Sequence, residues 1–529
     1  MIGEMDADSV VGYFRGKSIL ITGSTGFLGK VLVEKILRVQ PDVKKLYLLI
    51  RAPDAESAKL RIQTEIIGRE IFHVLKEKHD NAQLEELSKD IDVIVNGAAT
   101  TNFFERYDVA FDVNVLGVKH VCAFAAKCPK LKMLLHVSTA YVAGEQEGII
   151  PEKPILMGET LKVGTHLDIE SELILVKETM RELKASCSTE KDGRKTMKEL
   201  GLKRARHFGW PNTYVFTKAM GEMIMGNLPI DFPVVIIRPS IITSTLKEPL
   251  PGWMEGIKTI DSVVIGYAKQ TLPFFLVNLD LIMDVIPGDM VVNAMMVAMA
   301  AHSDDQQVQV IYHVTSSLRN PAPYSILWKS LFQYFNDNPP CTGRNGERVR
   351  LKKMRFFSTV MWFKLYMTVK YMLPLEMLRL VNIALCGVFS RRYNELNRKF
   401  RFMMQLSELY APYTLFKGCF DDINLDKLRM GMNKDNQNNN GAYYFDFDPK
   451  YIDWGNYFYN VHIPVFLSLE EILRFFQLRA QKSNPPPHAK KKQGFMLYLH
   501  QGYLIRATMP HGHRPLSLSH NHHPPPFAA

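Results

Sequence analysis

Cysteine is sparse and scattered. Cys122, Cys128, Cys187, Cys341, Cys386 and Cys419 are spread over 529 residues without a C-x-x-C pair, so neither a zinc site nor a disulfide framework is expected. No nearly uninterrupted apolar run reaches the ~20 residues that a membrane-spanning helix requires. The first fifteen residues carry Glu4, Asp6 and Asp8 and no apolar stretch, which fits neither a secretory signal nor an Arg- and Ser-rich transit peptide. The chain is therefore expected to face the cytosol. Nor does any basic run interleave with aromatics in the manner of a nucleic-acid module, so nucleic acid is not an expected partner. What remains is a chain that is 47% hydrophobic, with a mean hydropathy of −0.09, able to bury a large core in two domains. Its net charge of +11 suits polyphosphate ligands, and equally an ordinary solvated surface.

The first chemical signal follows the short β-branched run Ser18-Ile19-Leu20-Ile21. Thr22-Gly23-Ser24-Thr25-Gly26-Phe27-Leu28-Gly29 comes next, and then Val31, Leu32, Val33, Ile36 and Leu37 recur at helical spacing. Strand, glycine-rich turn and helix in that order are the context of a dinucleotide fingerprint. Its first glycines allow a tight turn and close approach of a pyrophosphate, while Gly29 lets helix and strand pack closely. A second strand, Leu46-Tyr47-Leu48-Leu49-Ile50, ends at Arg51 with no acid to hold a ribose 2′-hydroxyl. Arginine there suits the 2′-phosphate of NADP, or merely caps the strand in solvent. A third strand, Val93-Ile94-Val95, runs into Asn96-Gly97-Ala98-Ala99, whose small residues would lie flat against a cofactor. Asn114 is either a polar anchor for the helix on that side or an ordinary helix residue.

The second signal is Gly209-Trp210-Pro211-Asn212-Thr213-Tyr214-Val215-Phe216-Thr217-Lys218. Tyr214 and Lys218 stand one helical turn apart, on one face. An ammonium beside a phenol would favour the phenolate and make Tyr214 a ready proton exchanger. Such a tyrosine suits a reductase that protonates a carbonyl oxygen as hydride arrives at carbon. Leu134-Leu135-His136-Val137-Ser138-Thr139-Ala140-Tyr141 is a further strand ending in hydroxyls, one of which would hydrogen-bond the same oxygen.

Together these strings resemble the alcohol-forming fatty acyl-CoA reductases of the plant type, which include the male-sterility-like proteins and are extended short-chain dehydrogenase/reductases. The resemblance runs from Gly16 to about Pro464. It also rests on Ile237-Arg238-Pro239-Ser240-Ile241, Pro251-Gly252-Trp253, Asp289-Met290-Val291-Val292-Asn293 and Phe420-Asp421-Asp422-Ile423-Asn424. It implies an α/β fold, a Rossmann-like doubly wound parallel sheet with a smaller, mostly helical C-terminal domain. It implies NADPH as cofactor and long-chain fatty acyl-CoA as substrate, reduced through an aldehyde to the primary alcohol. Tyr214 and Lys218 become the catalytic pair, with Thr139 and Ser138 orienting the oxygen. Thr22, Gly23, Ser24, Thr25, Gly26, Phe27, Leu28, Gly29, Arg51, Asn96, Ala98, Asn114, Lys218, Arg238 and Pro239 become the cofactor's neighbours, and no metal is implied. The competing readings are another extended short-chain reductase, or a catalytically impaired relative that only binds lipid or a partner.

The organisation follows: an N-terminal segment 1–15, a nucleotide-binding domain 16–348, a C-terminal domain 349–464 and a Pro- and His-rich tail 465–529 expected to lack order. The polar stretch 185–196 reads as a loop, and the methionines of 290–301 as core filling. The segment 356–390 is apolar but interrupted by Lys364, Lys370, Glu376 and Arg379 and broken by Pro374. It fits a helix lying on a membrane interface, an acyl tunnel or a buried hairpin. The family's association with the endoplasmic reticulum favours peripheral attachment at its cytosolic face. Two departures from the family pattern stand out. No apolar strand ending in Gly-Asp lies between the second helix and Ile91, so the sheet is expected to lack one edge strand. After Pro464 the family's glycine is replaced by Val465 and the tail follows.

Overall fold

The structure is a computed structural model that describes residues 4–75, 80–81, 88–186, 189–227, 232–256, 259–303, 305, 309–339, 351–432, 445–465 and 503–507. Cys187, Cys341, most of the segment 76–87 and nearly all of the tail, including its histidines, lie outside the described residues.

Fourteen strands are described. The first seven are β1 (Ser18–Thr22), β2 (Lys45–Ile50), β3 (Asp80–Asn81), β4 (Val93–Asn96), β5 (Met133–Val137), β6 (Gly148–Ile150) and β7 (Val234–Pro239). The others are β8 (Ile241–Thr243), β9 (Phe274–Leu276), β10 (Val285–Pro287), β11 (Gln309–Val314), β12 (Arg355–Phe357), β13 (Gly418–Phe420) and β14 (Tyr503–Ala507). Eight form one sheet in the order β11-β7-β5-β4-β1-β2-β14-β3. From β11 to β2 every pairing is parallel, with Ile19 beside Leu46 on one flank and Val93 on the other. Strands buried on both faces explain the continuous apolar runs of the sequence: all five residues of β1 and all six of β7 are buried.

The chain leaves β1 towards β2 on one side and returns to β4 on the other. That reversal opens a crevice beyond the carboxyl ends of β1 and β4, where doubly wound sheets bind ligands. No parallel strand follows β2 on its outer edge among the described residues. The place beside β2 is taken by β14, which runs antiparallel and pairs Tyr503 with Ile50 and Ala507 with Leu46. An open strand edge offers unpaired amides and carbonyls, and Tyr-Leu-Ile-Arg-Ala is strand-prone. The expectation of a tail wholly without order is corrected at these five residues.

Two further expectations change. The stretch 185–196 is not a single loop, because helix Ile169–Ala185 ends there and helix Glu190–His207 begins, with the Thr189 hydroxyl accepting from the amide of Asp192. Nor does Pro374 break its segment. Helix Val360–Met367 passes through a π turn at Thr368–Met372 into helix Leu373–Ala384, and the wide turn accommodates the amide that proline lacks. Helix Gly288–Ala301 buries Met290, Met295, Met296 and Met299, as core filling requires.

The C-terminal residues are woven into the nucleotide-binding part. Strand β13 pairs with β6 and β12 with β9. The Tyr457 hydroxyl donates to Thr243 Oγ1 at 2.8 Å, and the buried His462 ring meets Ser244 Oγ at 3.0 Å.

Candidate active site

The turn after β1 places Gly23 and Gly29 where side chains cannot go and leaves little room at Gly26. Gly23 has φ +75°, and a Cβ there would stand 2.7 Å from the Ala98 nitrogen and the Gly97 carbonyl. A Cβ on Gly29 would collide with the Gly23 carbonyl oxygen. Gly26 begins helix Phe27–Val39 with no side-chain cap, so the first helical amides face outward at the positive end of the helix dipole. The Ser24 hydroxyl beside them is buried without a hydrogen-bond partner. Outward amides and an orphaned hydroxyl fit the pyrophosphate of a dinucleotide. Thr25 and Leu28 sit half-buried on the same turn. Phe27 contributes through its backbone, since its ring is buried against Trp253 at 5.3 Å.

A hydrogen-bonded chain runs from that turn across the strand ends. The Ala98 amide donates to Thr22 Oγ1 (3.1 Å), and Thr22 Oγ1 donates to Asn96 Oδ1 (2.8 Å). Asn96 Nδ2 reaches His136 Nδ1 (3.1 Å), and His136 Nε2 lies 3.2 Å from Lys218 Nζ. Lys218 also donates to the Val137 carbonyl at 2.8 Å. All four side chains are buried. Burial, with the Lys218 charge nearby, holds the His136 pKa well below the usual value, so the ring is neutral. The same loss of water brings Lys218 down to about 8, partly opposed by Glu222.

Tyr214 lies on the outward side of helix Thr213–Gly226. Its ring stacks on Phe103 (6.0 Å), which stacks in turn on Tyr413 (4.8 Å). Asn212 caps this helix by accepting from the Val215 amide and also donates to the Tyr413 hydroxyl at 2.8 Å, tying the C-terminal region to the helix start. Desolvation pushes the Tyr214 phenol up to about 12, and the hydrogen bond with Thr139 opposes that rise. The expected lysine-driven acidification is thus corrected: the Lys218 ammonium is engaged by His136 and Val137. Thr139 is buried with Oγ1 directed at the Pro239 carbonyl (3.4 Å). Ser138 is buried beside it, its hydroxyl without a hydrogen-bond partner.

The remaining sequence candidates divide. Asn114 is fully buried, accepts from the Thr100 amide and donates to the Thr100 carbonyl and Thr217 Oγ1. It anchors the loop after β4 to the Tyr214 helix rather than facing a cofactor. Arg238 is corrected outright. Its buried guanidinium is paired with Glu222 and approaches the His313 ring, which leaves it no role against a phosphate. Arg51 is exposed at the end of β2 and lines an open cleft of about 630 Å³. His136 stands in the strand before Ser138 with no role evident from the sequence, and Phe103 belongs to no motif. Only the fold brings them, with Tyr413, to Lys218 and Tyr214.

Beyond Tyr413 lies a narrow apolar cavity of about 30 Å³, lined by Ile241, Val263, Phe275, Leu327, Trp328 and Tyr410 among others. Neither Cys122 nor Cys128 is poised as a nucleophile, since burial pushes the Cys122 thiol up to about 12 and Cys128 to about 11. No metal-ligating cluster occurs among the described residues.

Residues 21–295 and 370–466 match two family models, each described as male sterility protein. Among curated proteins, the chain is 48% identical over 482 residues to the Arabidopsis thaliana protein named fatty acyl-CoA reductase 1. It is 45% identical over 484 residues to the alcohol-forming fatty acyl-CoA reductase of Simmondsia chinensis. Each alignment covers 86% of this chain and 97% of the relative.

Proposed function

The chain belongs to the fatty acyl-CoA reductase family, and on that premise we propose that Tyr214 is the acid in an NADPH-dependent reduction of long-chain acyl-CoA to the primary alcohol. When bound, NADPH supplies hydride, once to the thioester carbon and once to the aldehyde carbon. The glycine turn after β1 holds the pyrophosphate, and Arg51 meets the 2′-phosphate. The Tyr214 hydroxyl protonates the oxygen of the substrate carbonyl, steadied by Thr139 and by the otherwise unpaired Ser138 hydroxyl. Collapse of the resulting hemithioacetal releases coenzyme A and leaves the aldehyde, and Tyr214 protonates the aldehyde oxygen in the second round. Lys218, held by His136 and the Val137 carbonyl, keeps a positive charge one helical turn from Tyr214 and positions the hydrogen-bonded chain at the ends of β4 and β5.

The observation that carries this reading is the conjunction of an unpaired buried Ser138 hydroxyl, Thr139 and Tyr214 at the mouth of the dinucleotide crevice. A phenol kept protonated is the competent form, because reduction consumes a proton at each round. No cysteine stands among the motifs that carry Ser138, Thr139, Tyr214 and Lys218, which argues against a covalent acyl-enzyme. The acyl chain is assigned to the apolar side of the site, past the stacked rings of Phe103 and Tyr413; the cavity beyond them, at about 30 Å³, is too small to hold such a chain as it stands. The test is stoichiometric: two NADPH should be consumed for each coenzyme A released. One NADPH with aldehyde accumulating would contradict the alcohol-forming reading.

The same family reading, with the surface of 360–389, supports peripheral membrane contact. Phe363 and Met367 pack inward on Phe274, while Met361, Trp362, Met377, Ile383 and Val388 are each at least 59% exposed. Lys364, Lys370, Arg391 and Arg392 border them, the pattern of an interfacial helix. No described helix is long and apolar enough to cross a membrane. This surface supports attachment to the cytosolic face of the endoplasmic reticulum, where long-chain acyl-CoA partitions.

A further inference from the structure

The cleft that Arg51 lines has residues that the dinucleotide reading does not use. Arg51 stands on one side. Opposite lies helix Glu190–His207, which contributes Lys191, Arg194, Lys195 and Lys198. Including Arg106, six cations and only two acids, Glu105 and Glu199, line the space. Arg106 is committed to Asp108. Two of the cations on the helix make exposed pairs, Arg194 with Glu190 at 3.3 Å and Lys195 with Glu199 at 3.8 Å. Such pairs yield readily to a stronger anion. Phe104 projects into the same space with Lys198 over its ring at 5.2 Å, and offers a flat apolar face.

The position matters as much as the charge. Gly201 of this helix lies against Thr213 and Tyr107, so close that a Cβ there would stand 2.8 Å from Thr213 Oγ1. The basic wall is therefore fixed to the start of the Tyr214 helix. Phe104 on the cleft side is adjacent in sequence to Phe103, which stacks on Tyr214. A ligand anchored in the cleft has a route along this loop to the reacting tyrosine.

Resting on the acyl-CoA reading above, we propose that the Lys191–Lys198 face of this helix, with Phe104, binds the 3′-phosphoadenosine diphosphate end of the acyl-CoA substrate. The phosphates meet the four cations, the adenine stacks on Phe104, and the pantetheine arm follows the loop to Tyr214. Arg51 on the opposite wall remains with the dinucleotide. The two nucleotides thus enter one cleft on different walls.

The test compares the parent with a Lys191→Gln/Arg194→Gln/Lys195→Gln/Lys198→Gln variant and with the single reversal Lys195→Glu, at a highly exposed position. The substrates are palmitoyl-CoA, the palmitoyl thioester of N-acetylcysteamine, and the C16 aldehyde, each with NADPH. The proposal expects KM for palmitoyl-CoA to rise on the order of tenfold in the quadruple variant and less in the single one. It also expects the salt dependence of that KM to flatten. The truncated thioester and the aldehyde, which carry no nucleotide, should be handled as by the parent. An unchanged palmitoyl-CoA KM, or a rise in the NADPH KM instead, would overturn the assignment. A parent that reduces the aldehyde and not palmitoyl-CoA would instead refute the acyl-CoA reading on which the proposal rests.

Discussion

Tyr214 and Lys218 were legible as a pair from their spacing alone, but their electrostatics were not. Sequence places them one turn apart and suggests a phenolate. The fold turns Lys218 inward to His136 and Val137 and leaves the phenol protonated, at about 12. Spacing fixes which face a side chain leaves, not which partner it meets. Removing the hydroxyl with Tyr214→Phe should lower kcat by about 10²- to 10⁴-fold with little change in NADPH affinity, measured by steady-state kinetics and cofactor titration. Lys218 sets the pH behaviour. Its ammonium, at about 8, is lost as pH rises through that value, so kcat/KM should fall on the alkaline side of about pH 8 while Tyr214 stays protonated. A profile flat to pH 10 would contradict that role. Arg238, which the family resemblance places beside the cofactor, is instead neutralised within the core by Glu222, sixteen residues earlier.

At the scale of elements, the strand–turn–helix around Gly23, Gly26 and Gly29 could be read directly, because Gly23 takes a positive φ and a Cβ on Gly23 or Gly29 would collide with backbone. The stretch 185–196 could not, since a polar composition hides a helix announced only by its capping threonine and the acids Glu190 and Asp192 of its first turn. Pro374 misled for a related reason: a π turn ahead of it absorbs the missing amide. The loop after β4 depends on a single side chain. Asn114→Ala would leave the Thr100 amide and the Thr217 hydroxyl short of partners, at a cost of about 1–3 kcal/mol. The expected result is a lowered melting temperature with a raised KM for NADPH, seen in a thermal melt and initial-rate assays. Unchanged values in both would show that the anchor is dispensable.

For the molecule as a whole, the doubly wound sheet followed from alternating strand and helix signals. The weaving of the C-terminal residues into the site did not, because the contact of Tyr413 with Asn212 spans two hundred residues that no local pattern connects. The filling of the β2 edge by β14 was equally beyond sequence reading, since antiparallel edge pairing across the length of a chain leaves no periodic trace. The apolar surface of 360–389 makes a further whole-molecule prediction. The protein should float with liposomes containing anionic lipid, and Trp362→Glu/Met361→Glu should release it while leaving NADPH binding intact. Retention of that variant on liposomes would assign attachment to another surface.

The most direct measurement is product analysis by gas chromatography after incubation of purified protein with long-chain acyl-CoA and NADPH, alongside Tyr214→Phe. The account predicts primary alcohol from the parent and essentially none from the variant, with NADPH still bound by both. Alcohol formation undiminished in Tyr214→Phe, or no product from a parent that fails to bind NADPH, would contradict it.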